Sequence, residues 1–229
     1  MHVVAPVRDK VATRLDGNGP AATPAPRPRP TQPGGAVVLS IDEKTQIQAL
    51  DRTQPMLPIA FGATEQRTAD YVRHGTTNLF AALNVGTGEV FGHCAPTRDG
   101  AEFLAFLKKA VAPHADKEIH IVLDNLSTHG TDDVKSWLEK NPNVTFHFTP
   151  VGSSWINQIE TWFGNITKQA IRRGTFTSVS ALIHRIRTYI EQWNTDAKPF
   201  VWTATTDEIL AKVRWVQTSV KQLVDNNAK

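Results

Sequence analysis

Two apolar runs in this sequence each stop on an aspartate. Ala-Val-Val-Leu-Ser-Ile-Asp at 36 to 42 and Glu-Ile-His-Ile-Val-Leu-Asp at 118 to 124 have the length and β-branched content of strands buried on both faces. A carboxylate ending such a run lies at the rim of a core, where loss of water costs free energy unless a cation or hydrogen-bond donors offset it. In open α/β sheets ligands gather at strand ends. Two such aspartates brought together repel, and a shared proton or a bound divalent metal relieves them. Ligands that are all oxygen point to magnesium or manganese. Taken singly, Asp42 also reads as a turn residue after its strand, and Asp124 followed by Asn125 as a strand-to-loop turn.

The elements around these runs can be placed from pattern. Strands at 77 to 85 and 89 to 95, joined by Gly-Thr-Gly at 86 to 88, form a hairpin, so three antiparallel strands open the fold. Asp99 caps a helix with Phe103, Leu104, Phe106 and Leu107 on one side, ending before Pro113. A strand at 118 to 125, a helix over 131 to 140 with Val134, Trp137 and Leu138 inward, and a strand at 144 to 149 follow. After Pro150 the chain turns helical. Ser153 or Ser154 is the expected N-cap, and Trp155, Ile159, Trp162, Phe163 and Ile166 form one stripe. Further helices are expected over 178 to 194 and 206 to 224. This order predicts an α/β fold, a central mixed sheet flanked by helices.

Seven of the fourteen prolines fall in residues 1 to 35. That segment has few apolar side chains to offset ordering entropy and is expected to be disordered, either a basic arm or a linker. The domain proper is expected over 36 to 229. The whole formal surplus of +3 also sits in the first 35 residues, leaving the rest balanced, so bulk charge says little about partners. Cys94 is the single cysteine, which excludes an internal disulfide and a thiolate metal cage. A reducing cytoplasm is the expected compartment, and no apolar stretch is long enough to span a bilayer. HExxH, GxxxxGKS, GxGxxG and GxSxG patterns are absent, which argues against a zinc hydrolase, phosphate loops and a serine nucleophile elbow.

A two-metal clamp needs a third ligand. Glu160 is the best candidate because it lies beside the buried stripe of its helix, although a glutamate on an amphipathic helix also reads as a solvated side chain. At ~100° per residue Gly164 and Thr167 share its face, and the glycine would leave room for a bulky substrate. Lys168 and Arg172 lie roughly 80° to 120° around from it, a basic flank on which phosphates could rest. His129, close after Asp124, reads equally as a packing residue or an active-site residue.

Five segments carry a resemblance. Ile-Asp-Glu-Lys-Thr-Gln-Ile-Gln-Ala-Leu-Asp-Arg-Thr-Gln-Pro at 41 to 55, His-Gly-Thr-Thr-Asn-Leu-Phe-Ala-Ala-Leu at 74 to 83, Leu-Asp-Asn at 123 to 125, Ser-Ser-Trp-Ile-Asn-Gln-Ile-Glu at 153 to 160 and Lys-Pro-Phe-Val-Trp-Thr at 198 to 203 closely resemble the catalytic half of transposases of the IS630 group. Those are Tc1/mariner relatives with a DDE triad on an RNase H-like fold, here a mixed five-stranded sheet. The resemblance covers roughly residues 36 to 215. Thirty-five residues separate Asp124 and Glu160, close to the family's short spacing.

The resemblance implies that Asp42, Asp124 and Glu160 are the triad and hold two Mg2+ or Mn2+ ions. Asn125, His129 and Asn157 would be active-site neighbours, and Lys168, Arg172 and Arg173 would contact DNA. It further implies cleavage and strand transfer at the terminal inverted repeats, joining to target DNA, a homodimer in the active complex, and a bacterial cytoplasmic protein found on the nucleoid when bound to DNA. Two departures stand out. Nothing before Ala36 resembles the family's helix-turn-helix modules, so the chain is expected to be a truncated or frameshifted product carrying the catalytic half. The segment Ile59 to Ala69 differs from the family's usual basic loop. The other readings are a non-catalytic remnant that binds DNA or its full-length relatives and modulates transposition, and a general RNase H-like nuclease without strand joining.

Overall fold

The computed structural model describes residues 35–52, 71–201 and 204–227. The proline-rich segment through residue 34 and the departure at 59 to 69 lie outside the described residues. Five strands form one sheet: β1 (Val37–Arg52), β2 (Tyr71–Asn84), β3 (Val90–Ala95), β4 (Ile119–Leu123) and β5 (Val144–Phe148), in the order β3-β2-β1-β4-β5. β1, β2 and β3 pair antiparallel, whereas β4 runs parallel to β1 and β5 parallel to β4. The helices are α1 (Gly100–Val111), α2 (Asp132–Glu139), α3 (Ile159–Ile166), α4 (Val179–Thr195) and α5 (Thr206–Asn227). This mixed sheet with helices on its faces is the RNase H-like arrangement.

Strand alternation divides the core in two. Val37, Leu39 and Ile41 of β1, with Phe80 and Ala82 of β2 and Ile119, Ile121 and Leu123 of β4, pack against Phe103, Phe106 and Leu107 of α1. On the opposite face Leu79, Ala81 and Leu83 of β2 meet Ile159, Trp162, Phe163 and Ile166 of α3 and Leu182, Ile186 and Tyr189 of α4. Helix starts follow from capping chemistry. Asp99 accepts from Glu102 N at 2.9 Å to start α1, and Ser178 accepts from Ala181 N at 3.1 Å to start α4. The 85 to 89 turn of the hairpin is held by Asn84 Oδ1, which accepts from Gly86 N at 3.0 Å.

Two expectations are corrected. β1 does not stop at residue 42; it continues to Arg52 through register shifts between Lys44 and Ile47 and between Gln48 and Leu50. The first shift inserts one extra residue opposite β2, with Gln46 at φ 50, and so reverses which face the side chains meet. Ile41 therefore points to the α1 core, while Ile47 and Ala49 point to the α3 core. Neither serine caps α3: Ser154–Ile156 form a separate 3-10 turn, and the helix starts at Ile159 after Asn157 takes extended backbone angles. Trp155 accordingly leaves the expected stripe, and the Lys212 ammonium sits 4.5 Å from its ring centroid.

Trp162 is the largest fully buried side chain, and its ring N–H finds no acceptor among the described residues. Trp162→Ala should therefore cost about 3–5 kcal/mol in urea denaturation. Trp162→Phe, which keeps an aromatic ring and deletes the unpaired donor, should cost roughly half as much or less.

Candidate active site

Parallel pairing of β1 with β4 sets the first two acids. Ser40 pairs with Val122, so two residues further along Asp42 and Asp124 leave the ladder side by side. The last bond of the β4 edge runs from Thr149 N to Leu123 O at 2.8 Å, so the sheet's hydrogen bonding ends one residue before Asp124. Asp42 is only 6% exposed. Its Oδ1 accepts from Glu43 N at 2.8 Å, and its Oδ2 lies 3.3 Å from Asn157 Nδ2.

A buried polar clasp brings in the third acid. Asn157 Nδ2 donates to Ile41 O at 2.8 Å, Ser40 Oγ donates to Asn157 Oδ1, and Ile159 N donates back to Ser40 Oγ at 2.9 Å. Ser40 and Asn157 are almost wholly buried, so these bonds face no competition from water. They pin the N-terminus of α3 onto β1. Glu160, in the first turn of α3, is exposed, and its charge acts on the Asp42 carboxyl across this junction. A Cβ at Gly164 would meet nothing within 4 Å, so the space one turn along from Glu160 is open.

The electrostatics follow from this crowding. Burial pushes the Asp42 carboxyl up to about 7; the hydrogen bond from Glu43 N opposes the rise, and Asp124, Glu160 and Glu43 add to it. Burial also raises the Asp124 carboxyl, with His129 opposing and Glu43 adding. Both aspartates are thus held in a field where a cation would be favoured. Asp124 Oδ1 is buried and accepts no hydrogen bond, although it lies 3.2 Å from His129 Nδ1. That nitrogen meets the hydrogen-bond geometry toward the Asp124 carbonyl, at 3.0 Å. The oxygen donor set suits magnesium or manganese. Among the described residues no three His, Cys, Asp or Glu side chains are gathered tightly enough to form a ready metal cage.

The remaining expected residues separate into two groups. His129 and Asn157 are buried beside the aspartates, and Asn125 is exposed on a cavity of about 210 Å³ bordered by Asp124, Thr149, Gly152 and Ser154. Lys168, Arg172 and Arg173 are exposed, but a π-helical turn at Thr167–Ile171, closed by Arg172 N to Thr167 O at 2.8 Å, breaks the angular count from Glu160. Arg172 instead lines a groove of about 330 Å³ with Lys44, Gln48 and Arg52 of β1, and Arg52 Nη2 donates to its carbonyl at 2.9 Å.

Four contributors escaped the sequence reading: Ser40, Glu43, Lys44 and Arg52. Glu43 was legible only as the residue after Asp42; its side chain is 2% exposed and lies 3.3 Å from the fully buried His129 Nε2. Burial alone would lower the His129 pKa, yet its hydrogen bonds to Glu43 and the Asp124 carbonyl, with the charges of both acids, hold it above the ordinary histidine value.

Residues 37–183 match the family described as DDE superfamily endonuclease. The chain is similar to the "Insertion element IS630 uncharacterized 39 kDa protein" of Shigella sonnei, 29% identical over 114 residues that make up 49% of this chain and 33% of that protein. Solved structures that align include the Mos1 strand transfer complex, at 13% identity and TM-score 0.49 over 85% of this chain and 55% of that one. Another is the Mos1 transposase catalytic domain with raltegravir and magnesium, at 14% identity and TM-score 0.45 over 71% and 72%. The chain spans a third of the curated relative's length and about half of the strand transfer complex chain.

The Asp42 shift has a sign that can be tested. Its carboxyl titrates at about 7 when folded against 3.8 otherwise. Between those values folding takes up a proton, so stability falls as pH rises through the window and the full penalty stands above it. Asp42→Asn cannot ionise. In chelating buffer at pH 8 it should melt above wild type, by on the order of 4 kcal/mol at most, and the difference should vanish below about pH 4.

Proposed function

This chain belongs to the DDE superfamily endonuclease family, and from that premise we propose that it is the catalytic domain of an IS630-type transposase, cutting DNA at transposon ends and joining the ends to target DNA. Asp42, Asp124 and Glu160 would hold two divalent ions, Mg2+ or Mn2+. The observation that carries this reading is the delivery of Asp42 and Asp124 side by side from parallel strands, with Asp42 buried and the charges of Asp124, Glu160 and Glu43 acting on it.

When bound, a pair of divalent ions activates the attacking oxygen and neutralises charge on the departing one. The rest falls to the chain's own residues. Ser40 and Asn157 fix the start of α3 relative to β1, which keeps the helix that carries Glu160 against the strand that carries Asp42. Asp42, whose carboxyl burial pushes up to about 7, would have to lose its proton to hold a cation, so metal uptake would depend on pH near neutrality. Lys44 and Arg52, together with Lys168, Arg172 and Arg173, supply the fixed positive charge for phosphates in a domain whose formal charges sum to zero. Asn125, which lines the cavity beside Asp124, would contact the nucleotide at the scissile bond.

The reading extends to a homodimer that holds paired ends, as the family resemblance implies, and to a cytoplasmic setting consistent with a single cysteine. No helix among the described residues is long and apolar enough to cross a membrane. The test uses DNA carrying the ends of the insertion element that encodes the chain, incubated with the purified protein and Mn2+. Wild type should nick the ends and join them to a target plasmid. Asp124→Asn should lose at least ~10³-fold in rate, the equivalent of several kcal/mol of transition-state stabilisation. Equal cleavage by both proteins contradicts the assignment of the site, and nicking without joining favours a general nuclease.

A further inference from the structure

Behind the carboxylates, on the α1 face of the sheet, sits a buried charged pair that the proposed chemistry does not use. Asp42 and Glu43 are neighbours on β1 and so point to opposite faces. Asp42 faces the α3 side, whereas Glu43 points to the side where α1 packs. There its Oε2 lies 3.3 Å from His129 Nε2, with the two side chains 2% and 0% exposed. The imidazole lies over Phe103 of α1, ring centroids 4.3 Å apart. Its other nitrogen, Nδ1, is 3.0 Å from the Asp124 carbonyl oxygen and 3.2 Å from Asp124 Oδ1.

The hydrogen-bond inventory fixes the direction of these contacts. A carbonyl oxygen can only accept, so Nδ1 carries a proton and donates to Asp124. Nε2 then faces the Glu43 carboxyl, and one proton lies between them. The ring therefore joins the residue after one aspartate to the backbone of the other. Asp124 has need of such a tie because the ladder ends at Leu123 and its neighbour Asn125 is exposed.

We propose that Glu43 and His129 are positioning residues that hold Asp124 at a fixed separation from Asp42, and so set the affinity of the carboxylate site for divalent cations. The proposal rests on the reading of Asp124 as a metal ligand. It assigns the pair no contact with the reacting atoms. Groups that orient metal ligands from behind commonly change metal affinity by 10–100-fold when they are lost. An ordinary buried ion pair would affect folding alone.

The variant that separates these roles is Glu43→Leu/His129→Phe. Replacing both partners leaves no orphaned buried charge, and Phe keeps the ring against Phe103, so the double variant should fold where either single change would leave a lone charge. The measurement is the Mn2+ concentration at half-maximal shift in melting temperature, without DNA, on wild type, Asp124→Asn, Glu43→Gln and the double variant.

The expected result is a Mn2+ shift in wild type that Asp124→Asn loses. The midpoint should stay within about threefold of wild type in Glu43→Gln, which still bonds His129, and rise by about 10–100-fold in the double variant. A double variant with a wild-type midpoint overturns the proposal and leaves the reading of the site intact. Absence of a Mn2+ shift in wild type overturns the reading and the proposal together. Should the double variant not fold, the wild-type chain still decides. Nitrogen NMR of the imidazole should show a protonated Nδ1 on His129, and a ring with Nδ1 bare overturns the proposal.

Discussion

Asp42 leaves the parallel pairing of β1 with β4 buried beside Asp124, and the charged groups that act on it most strongly are acids: Asp124, Glu160 and Glu43. A carboxylate in that position is unfavourable in isolation, because burial removes water and the neighbours repel. The surrounding structure accepts this local cost and spreads it over well-paired contacts. Ser40 and Asn157 are fully engaged in a buried clasp, and the two hydrophobic clusters on either face of the sheet supply the stability against which the strain is held. Local conflict of this kind, within a fold whose other choices agree, is what the proposed role of Asp42 would require.

Much of the frame was legible from residue pattern. The runs ending on Asp42 and Asp124, the hairpin turn, the Asp99 cap and the stripe of Ile159, Trp162, Phe163 and Ile166 all signalled their elements through short-range rules, and the structure holds them in those roles. The failures have a common origin in long-range contacts. β1 reads as ending at Asp42 because the next residues are polar, yet an inserted residue near Gln46 lets the strand continue and change faces. Residue pattern puts the start of α3 too early because Asn157 spends its amide on β1, a partner 116 residues away along the chain.

The candidate site shows the same division. Asp42 and Asp124 could be singled out because a carboxylate after an apolar run is locally anomalous. Glu43 could not, since a second acid after the first is an ordinary strand-end sequence. Only the fold shows that it points to the other face and meets His129 there. Lys168 and Arg172 looked like a flank of Glu160 under regular helical geometry, whereas the π-helical turn carries Arg172 to the groove shared with Lys44 and Arg52. A change of five residues from α to π geometry is not encoded in any local propensity strong enough to read.

The central claim is that these separate segments build one site for hard cations between Asp42 and Asp124, with Glu160 at its edge. Crystals of the chain soaked in manganese and measured at the manganese absorption edge test it most directly. The account predicts an anomalous peak within about 2.0–2.6 Å of oxygens from both aspartates. Ordered manganese bound elsewhere, with both carboxylates clear of it, would contradict the account.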